Sequence, residues 1–102
     1  MKILITNDLS NAMEKQPKDV LNGFIESIDK LQDLVKPQIL LLETVVDLSS
    51  PDDETKLYAY NISGKSYAVF AFTPKNEMLL LDYVQVTAKG ITSLAYPSKS
   101  TS

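Results

Sequence analysis

A chain of 102 residues with 44% hydrophobic and 23% charged side chains has room for one domain around one core, and that balance excludes wholesale disorder. It contains no Cys, His or Trp, and all ten basic residues are Lys, which removes disulfides, thiolate chemistry and imidazole acid–base catalysis. Without Arg, and at a net charge of −3, it also lacks the usual means of gripping the phosphates of a nucleic acid.

The first elements are helical apart from a short opening strand. Residues 1–6 read as a strand, with Ile3 and Ile5 on one face and Leu4 on the other. Asn7 or Asp8 can cap a short helix carrying Leu9, Ala12 and Met13. Pro17 suits the first turn of a second, longer helix, where its missing N–H has no intrahelical partner. Val20, Leu21, Phe24, Ile25, Ile28, Leu31 and Val35 then recur every three or four residues as a one-sided apolar stripe, which Pro37 closes. Gly23 lowers helix propensity inside that stripe, and close packing is the expected reason for it. Residues 38–48 fit a strand by their β-branched content and fit a short buried helix nearly as well; the strand is the reading adopted. The run from Ser49 to Glu54 reads as an acidic loop.

The remainder alternates with period two. Residues 56–62 set Tyr58, Tyr60 and Ile62 against Leu57, Ala59 and Asn61. Ser63-Gly64-Lys65 makes a turn, and residues 66–73 then set Tyr67, Val69 and Ala71 against Ala68, Phe70 and Phe72. Residues 78–87, apolar on both faces until Asp82, predict a strand central in its sheet. From Gly90 the chain turns Ser/Thr-rich, so the domain is placed at residues 1–89 and residues 90–102 are expected to form a mobile tail. The expected class is α+β: an N-terminal strand, a helical hairpin, then an antiparallel β-meander.

That order of elements resembles the RelE/ParE-type toxins of bacterial toxin–antitoxin modules. The stretch that carries it is Lys56-Leu-Tyr-Ala-Tyr-Asn-Ile-Ser-Gly-Lys-Ser-Tyr-Ala-Val-Phe-Ala-Phe, followed by Glu77-Met-Leu-Leu-Leu-Asp-Tyr-Val. The helical portion, residues 9–34, is similar in length and placement, and the resemblance covers residues 1–89. It implies a toxin scaffold held by an antitoxin or other small protein. In the messenger-cleaving members, basic residues on these strands steady phosphate charge. Here Asn61 and Ala68 stand where the resemblance expects arginines, and the expected basic pair after the last strand reduces to Lys89. The resemblance thus implies the scaffold without the ribonuclease activity, because a developing phosphorane needs preorganised positive charge.

Few residues remain as functional candidates. Tyr58, Tyr60, Tyr67 and Tyr83 could form an aromatic binding platform, or lie half-buried in the sheet with their hydroxyls in water. Lys56, Lys65 and Lys89, with Tyr60 and Tyr67, are the catalytic candidates for a degenerate endoribonuclease, the alternative function. A self-associating, cystatin-like structural domain is the other alternative. Asp52-Asp53-Glu54 lacks the spacing of a calcium loop, Glu43 and Asp47 share a face only if helical, and Ser63-Gly64-Lys65-Ser66 is too short for a phosphate loop. No metal or cofactor is expected. The preferred reading is a non-enzymatic protein-binding domain, with homo-oligomerisation open and nucleic acid disfavoured. No apolar run approaches the ~20 residues of a membrane span, and no export signal is evident, so the cytoplasm is the expected location.

Overall fold

The computed structural model describes residues 1–49 and 56–96. The chain opens with strand β1 (Ile3–Ile5) and helices α1 (Asn7–Glu14), α2 (Lys18–Gln32) and α3 (Lys36–Leu40). Strands β2 (Val45–Asp47), β3 (Tyr58–Ser63), β4 (Ser66–Phe72), β5 (Met78–Thr87) and β6 (Gly90–Ser93) follow. Among the described residues they form one sheet in the order β1-β5-β4-β3-β2. The β1–β5 pair is parallel; the others, including β6 on β5, are antiparallel. The doubly apolar β5 is central, as its composition predicts, with β4 on one side and β1 and β6 on the other.

All three helices pack on one face of this sheet. Leu9 and Met13 of α1, Phe24 and Leu31 of α2 and Ile39 of α3 meet Ala68, Phe70, Met78, Leu80 and Tyr83 in a single core. The period-three-or-four stripe of α2 and the period-two faces of β4 and β5 therefore close on each other. The alternation changes phase within β5. Between Val69 and Phe70 the β4–β5 register shifts, so Leu81 is left unpaired and both Leu80 and Tyr83 can face the helices.

Several local expectations need correction. Thr6, instead of Asn7 or Asp8, caps α1: its Oγ1 accepts from the Leu9 N–H at 3.3 Å. Pro17 sits one residue before α2, as its N-cap. The long helix stops at Gln32, and Pro37 belongs to the first turn of α3. A continuous helix would drive the proline ring into the carbonyl of residue 33, so the chain breaks first and restarts. Val35, assigned to the apolar stripe, is consequently 56% exposed in that break. Of residues 38–48, read as strand, the first part is α3 and only Val45–Asp47 pairs, with β3. The Gln38 Oε1 accepts from the Val35 N–H at 3.0 Å and secures that short helix.

The C-terminal boundary also moves. Gly90–Ser93, assigned to a tail, is strand β6. Gly90 at φ 124° closes a turn that only glycine tolerates easily, and Thr87 Oγ1 braces it by accepting from the Lys89 N–H and donating to the Gly90 carbonyl. Residues 97–102, and the acidic run at 52–54, lie outside the described residues.

Candidate functional site

With three helices on one face, the opposite face of the sheet is, among the described residues, left to its own side chains. Val46 and Leu48 rise along one side of it, Val86 and Ile91 along the other, and Ala59, Tyr67 and Val84 lie between. These seven side chains line a shallow apolar channel of about 190 Å³. Leu48 is 51% exposed and Ile91 64%. The pairing Val46↔Ala59, Tyr67↔Val84 and Val86↔Ile91 shows how adjacent strands bring them to one side.

The aromatic platform expected from the tyrosines is divided between the two faces. Tyr83 is 3% exposed and meets the Phe24 ring edge-on at 6.1 Å. Tyr58 stacks on Phe70 at 5.6 Å, and Tyr58 and Tyr60 both pack against the helix-side core. Tyr67 alone of the four lines the open channel. Strand parity explains the division: Tyr58 and Tyr60 fall in phase with Phe70, whereas Tyr67 falls in phase with Ala59 and Val84.

The lysines do not converge either. Lys65 and Lys89 occupy the β3–β4 and β5–β6 turns at one end of the sheet, where the Val86 N–H donates to the Lys65 carbonyl at 2.9 Å. Lys56 precedes β3 at the opposite end, roughly 20–25 Å away along the strand. Tyr60 and Tyr67, proposed with them for catalysis, lie on opposite faces.

The positions singled out for missing arginines gain a different meaning. Ala68 is 2% exposed and faces the helices, so the residues that β4 offers to the open side are its neighbours Tyr67 and Val69. Asn61 is occupied in holding its turn: its Nδ2 donates to the carbonyls of Gly64 at 3.0 Å and Ser66 at 3.4 Å.

Two carboxylates do local structural work. Asp82 sits beside the irregularity in β5 and was singled out in the sequence only for ending an apolar run. Its Oδ1 accepts from the Tyr83 and Ala95 N–H groups at 2.8 and 3.1 Å, and its Oδ2 from Ser93 Oγ at 2.6 Å, fastening the chain after β6 to the sheet. No spacing rule would have found it, because two of its three partners lie 11 and 13 residues away. Asp47 accepts from the Ser49 N–H at 2.8 Å, and this bond holds its carboxyl below the ordinary value of 3.8; Lys56 adds a smaller effect in the same direction. Glu43 lies in the turn before β2, so it and Asp47 do not share a helical face. Tyr96 is pushed above the ordinary 10.0, first by burial and then by the negative charge of Asp8. Among the described residues no three acidic side chains gather to hold a metal, and no helix is long and apolar enough to cross a membrane.

Neither a protein-family model nor a curated protein matches the chain. Among solved structures it is similar to one described as the crystal structure of the archaeal RelE-RelB complex from Pyrococcus horikoshii OT3. The TM-score is 0.60 at 20% identity, covering 80% of this chain and 90% of that chain. The chain has a RelE-like α+β fold. That likeness, and the parallel β1–β5 pair within the sheet, set aside the cystatin-like reading.

Proposed function

We propose that this chain is a RelE-like toxin-family protein that acts through protein–protein binding, with an antitoxin or similar small protein as its partner, and that it does not cleave RNA. The observation that carries this reading is the chemistry of the open sheet face. Its channel is lined by valine, leucine, isoleucine, alanine and one tyrosine, with no cation among them. Cleavage of a phosphodiester needs positive charge fixed close to the reacting oxygens. Lysines scattered over two ends of a sheet do not supply it, whereas an apolar, partly exposed surface is what a protein partner covers. That the similar solved structure is a RelE-RelB complex supports a partner of the antitoxin kind. A cytoplasmic location goes with this reading.

The test has two arms. In a translating extract the purified chain should leave a reporter messenger intact, and the product of a short adjoining reading frame should co-purify with the chain. Messenger cleavage lost on Lys56→Ala, Lys65→Ala or Lys89→Ala would overturn the non-enzymatic reading in favour of a lysine-based endoribonuclease. A lone monomer without toxicity would overturn the toxin-family reading.

A further inference from the structure

We propose that the outer edge of β6 pairs with the same edge of a second copy of the chain, antiparallel and centred on Thr92, to give a weak dimer. Such a dimer is independent of the antitoxin-type partner above. It follows from the backbone groups that β6 has left over. The Leu94 N–H donates to the Tyr83 carbonyl at 3.0 Å, and Ser93 and Ile91 lie opposite Val84 and Val86. Antiparallel alternation therefore turns the backbone groups of Gly90, Thr92 and Leu94 toward β5 and those of Ile91 and Ser93 outward. Among the described residues nothing bonds to those outward groups, and Gly90, Ile91 and Thr92 are exposed in succession. On the helix side a cleft of about 450 Å³ separates α1 from Thr92 and its neighbours, so the helix does not cover this edge.

Sheet edges are normally guarded against such pairing by a charge, a proline or a bulge. The strand Gly90–Ser93 has none of these. At β2, by contrast, the Val45 N–H is taken by the Leu42 carbonyl at 3.2 Å, and Asp47 puts a carboxylate on the edge. The β1 edge offers only three residues, beside the charged Lys2.

Engaged amides fix the register of a two-fold pair. Centring on Ile91 would set Ser93 against the second copy's Lys89, whose N–H is given to Thr87 Oγ1 at 3.3 Å. Centring on Ser93 would set Ile91 against the second copy's Ala95, whose N–H is held by Asp82 Oδ1 at 3.1 Å. Centring on Thr92 sets Ile91 against Ser93 in both directions, so each donates to and accepts from the other. Thr92 then faces its own counterpart in the close, non-hydrogen-bonded pairing, where Thr–Thr contacts are favourable. The two Ile91 side chains, each 64% exposed, meet on the diagonal. The two Lys89 residues stay about 20 Å apart along the strands. A strand of four residues buries less than a standard interface, so the dimer is concentration-dependent.

Sedimentation velocity of the full chain over a wide concentration range should show the mass rising toward two chains. Thr92→Lys and Thr92→Glu should each weaken the dimer ten-fold or more, because like charges then face each other across the axis. An equimolar mixture of the two should restore it, with urea midpoints close to wild type showing that both are folded. The chain has no Cys, so Thr92→Cys supplies a single thiol. It should form a disulfide dimer at least ten-fold faster than Leu41→Cys, placed at a position 84% exposed. Amide exchange at Ile91 and Ser93 should slow as concentration rises. A monomer at every concentration, a dimer indifferent to both Thr92 charges, Thr92→Cys cross-linking no faster than Leu41→Cys, or concentration-dependent protection at β1 or β2 instead would each overturn the proposal. These failures leave the protein-binding reading standing, which co-purification tests separately.

Discussion

At the scale of single residues, the sheet depends on a few polar side chains that tie distant segments together. Asp82 receives three donors at a place where the β5 ladder is interrupted, and each would lose its acceptor if the carboxylate were removed. Losing such an acceptor in a half-buried setting costs about 1–3 kcal/mol. Asp82→Ala should therefore lower the urea midpoint by that equivalent and speed amide exchange at Leu94, whose N–H donates to the Tyr83 carbonyl at 3.0 Å. Asp47 makes a pH-dependent contribution. Its folded value lies below 3.8, so its stabilisation is present above 3.8 and disappears as pH falls through the folded value. Urea midpoints of the wild type and Asp47→Asn should differ at neutral pH and converge in acid. Tyr96 acts at the other extreme: raised above 10.0, it keeps its proton when the unfolded chain has lost it, so stability should decline as pH rises past 10. Absorbance titration at 295 nm should show a late-titrating tyrosine that Tyr96→Phe removes.

At the scale of elements, the helix ends and the glycines give separable expectations. Thr6→Ala deletes the side-chain acceptor at the start of α1 and should cost about 1 kcal/mol in chemical denaturation. Gly23 was read as a close-packing residue, but a Cβ there would meet only the Ile62 Cγ2, at an ordinary 3.7 Å. Gly23→Ala should consequently raise stability by about 0.5–1 kcal/mol, the difference in helix propensity, with a higher melting temperature. Had the glycine been needed for packing, the same substitution would destabilise. Long, periodic elements such as α2 and β5 were legible because their apolar spacing repeats over several turns or pleats. The short ones, α3 and β6, were misassigned because five or four residues hold too little periodicity and their identity rests on context. Pro37 restarts a helix there, and Asp82 reaches across to hold β6.

At the scale of the whole molecule, the layering decides what the protein can offer a partner. Among the described residues three helices cover one face of the sheet and leave the Val46–Ile91 channel on the other, while Lys56, Lys65 and Lys89 stay at the ends of the strands. The candidate residues were legible as types but not as a site. A tyrosine or lysine announces its chemistry in the sequence, whereas its face depends on strand parity and on the register shift beside Val69. Tyr83 ended beneath α2 and Tyr67 on the open side for that reason.

By itself, the sequence determined what is absent and what is periodic. It ruled out histidine, cysteine and arginine chemistry, and it placed one long amphipathic helix before a set of alternating strands, since composition and period are local properties. Only the tertiary structure decided which face is covered, which tyrosine is presented and how far the sheet continues past Thr87. Those outcomes depend on pairing between residues distant in the chain, Ile3 with Met78 and Asp82 with Ser93 among them, and no local pattern encodes such pairs.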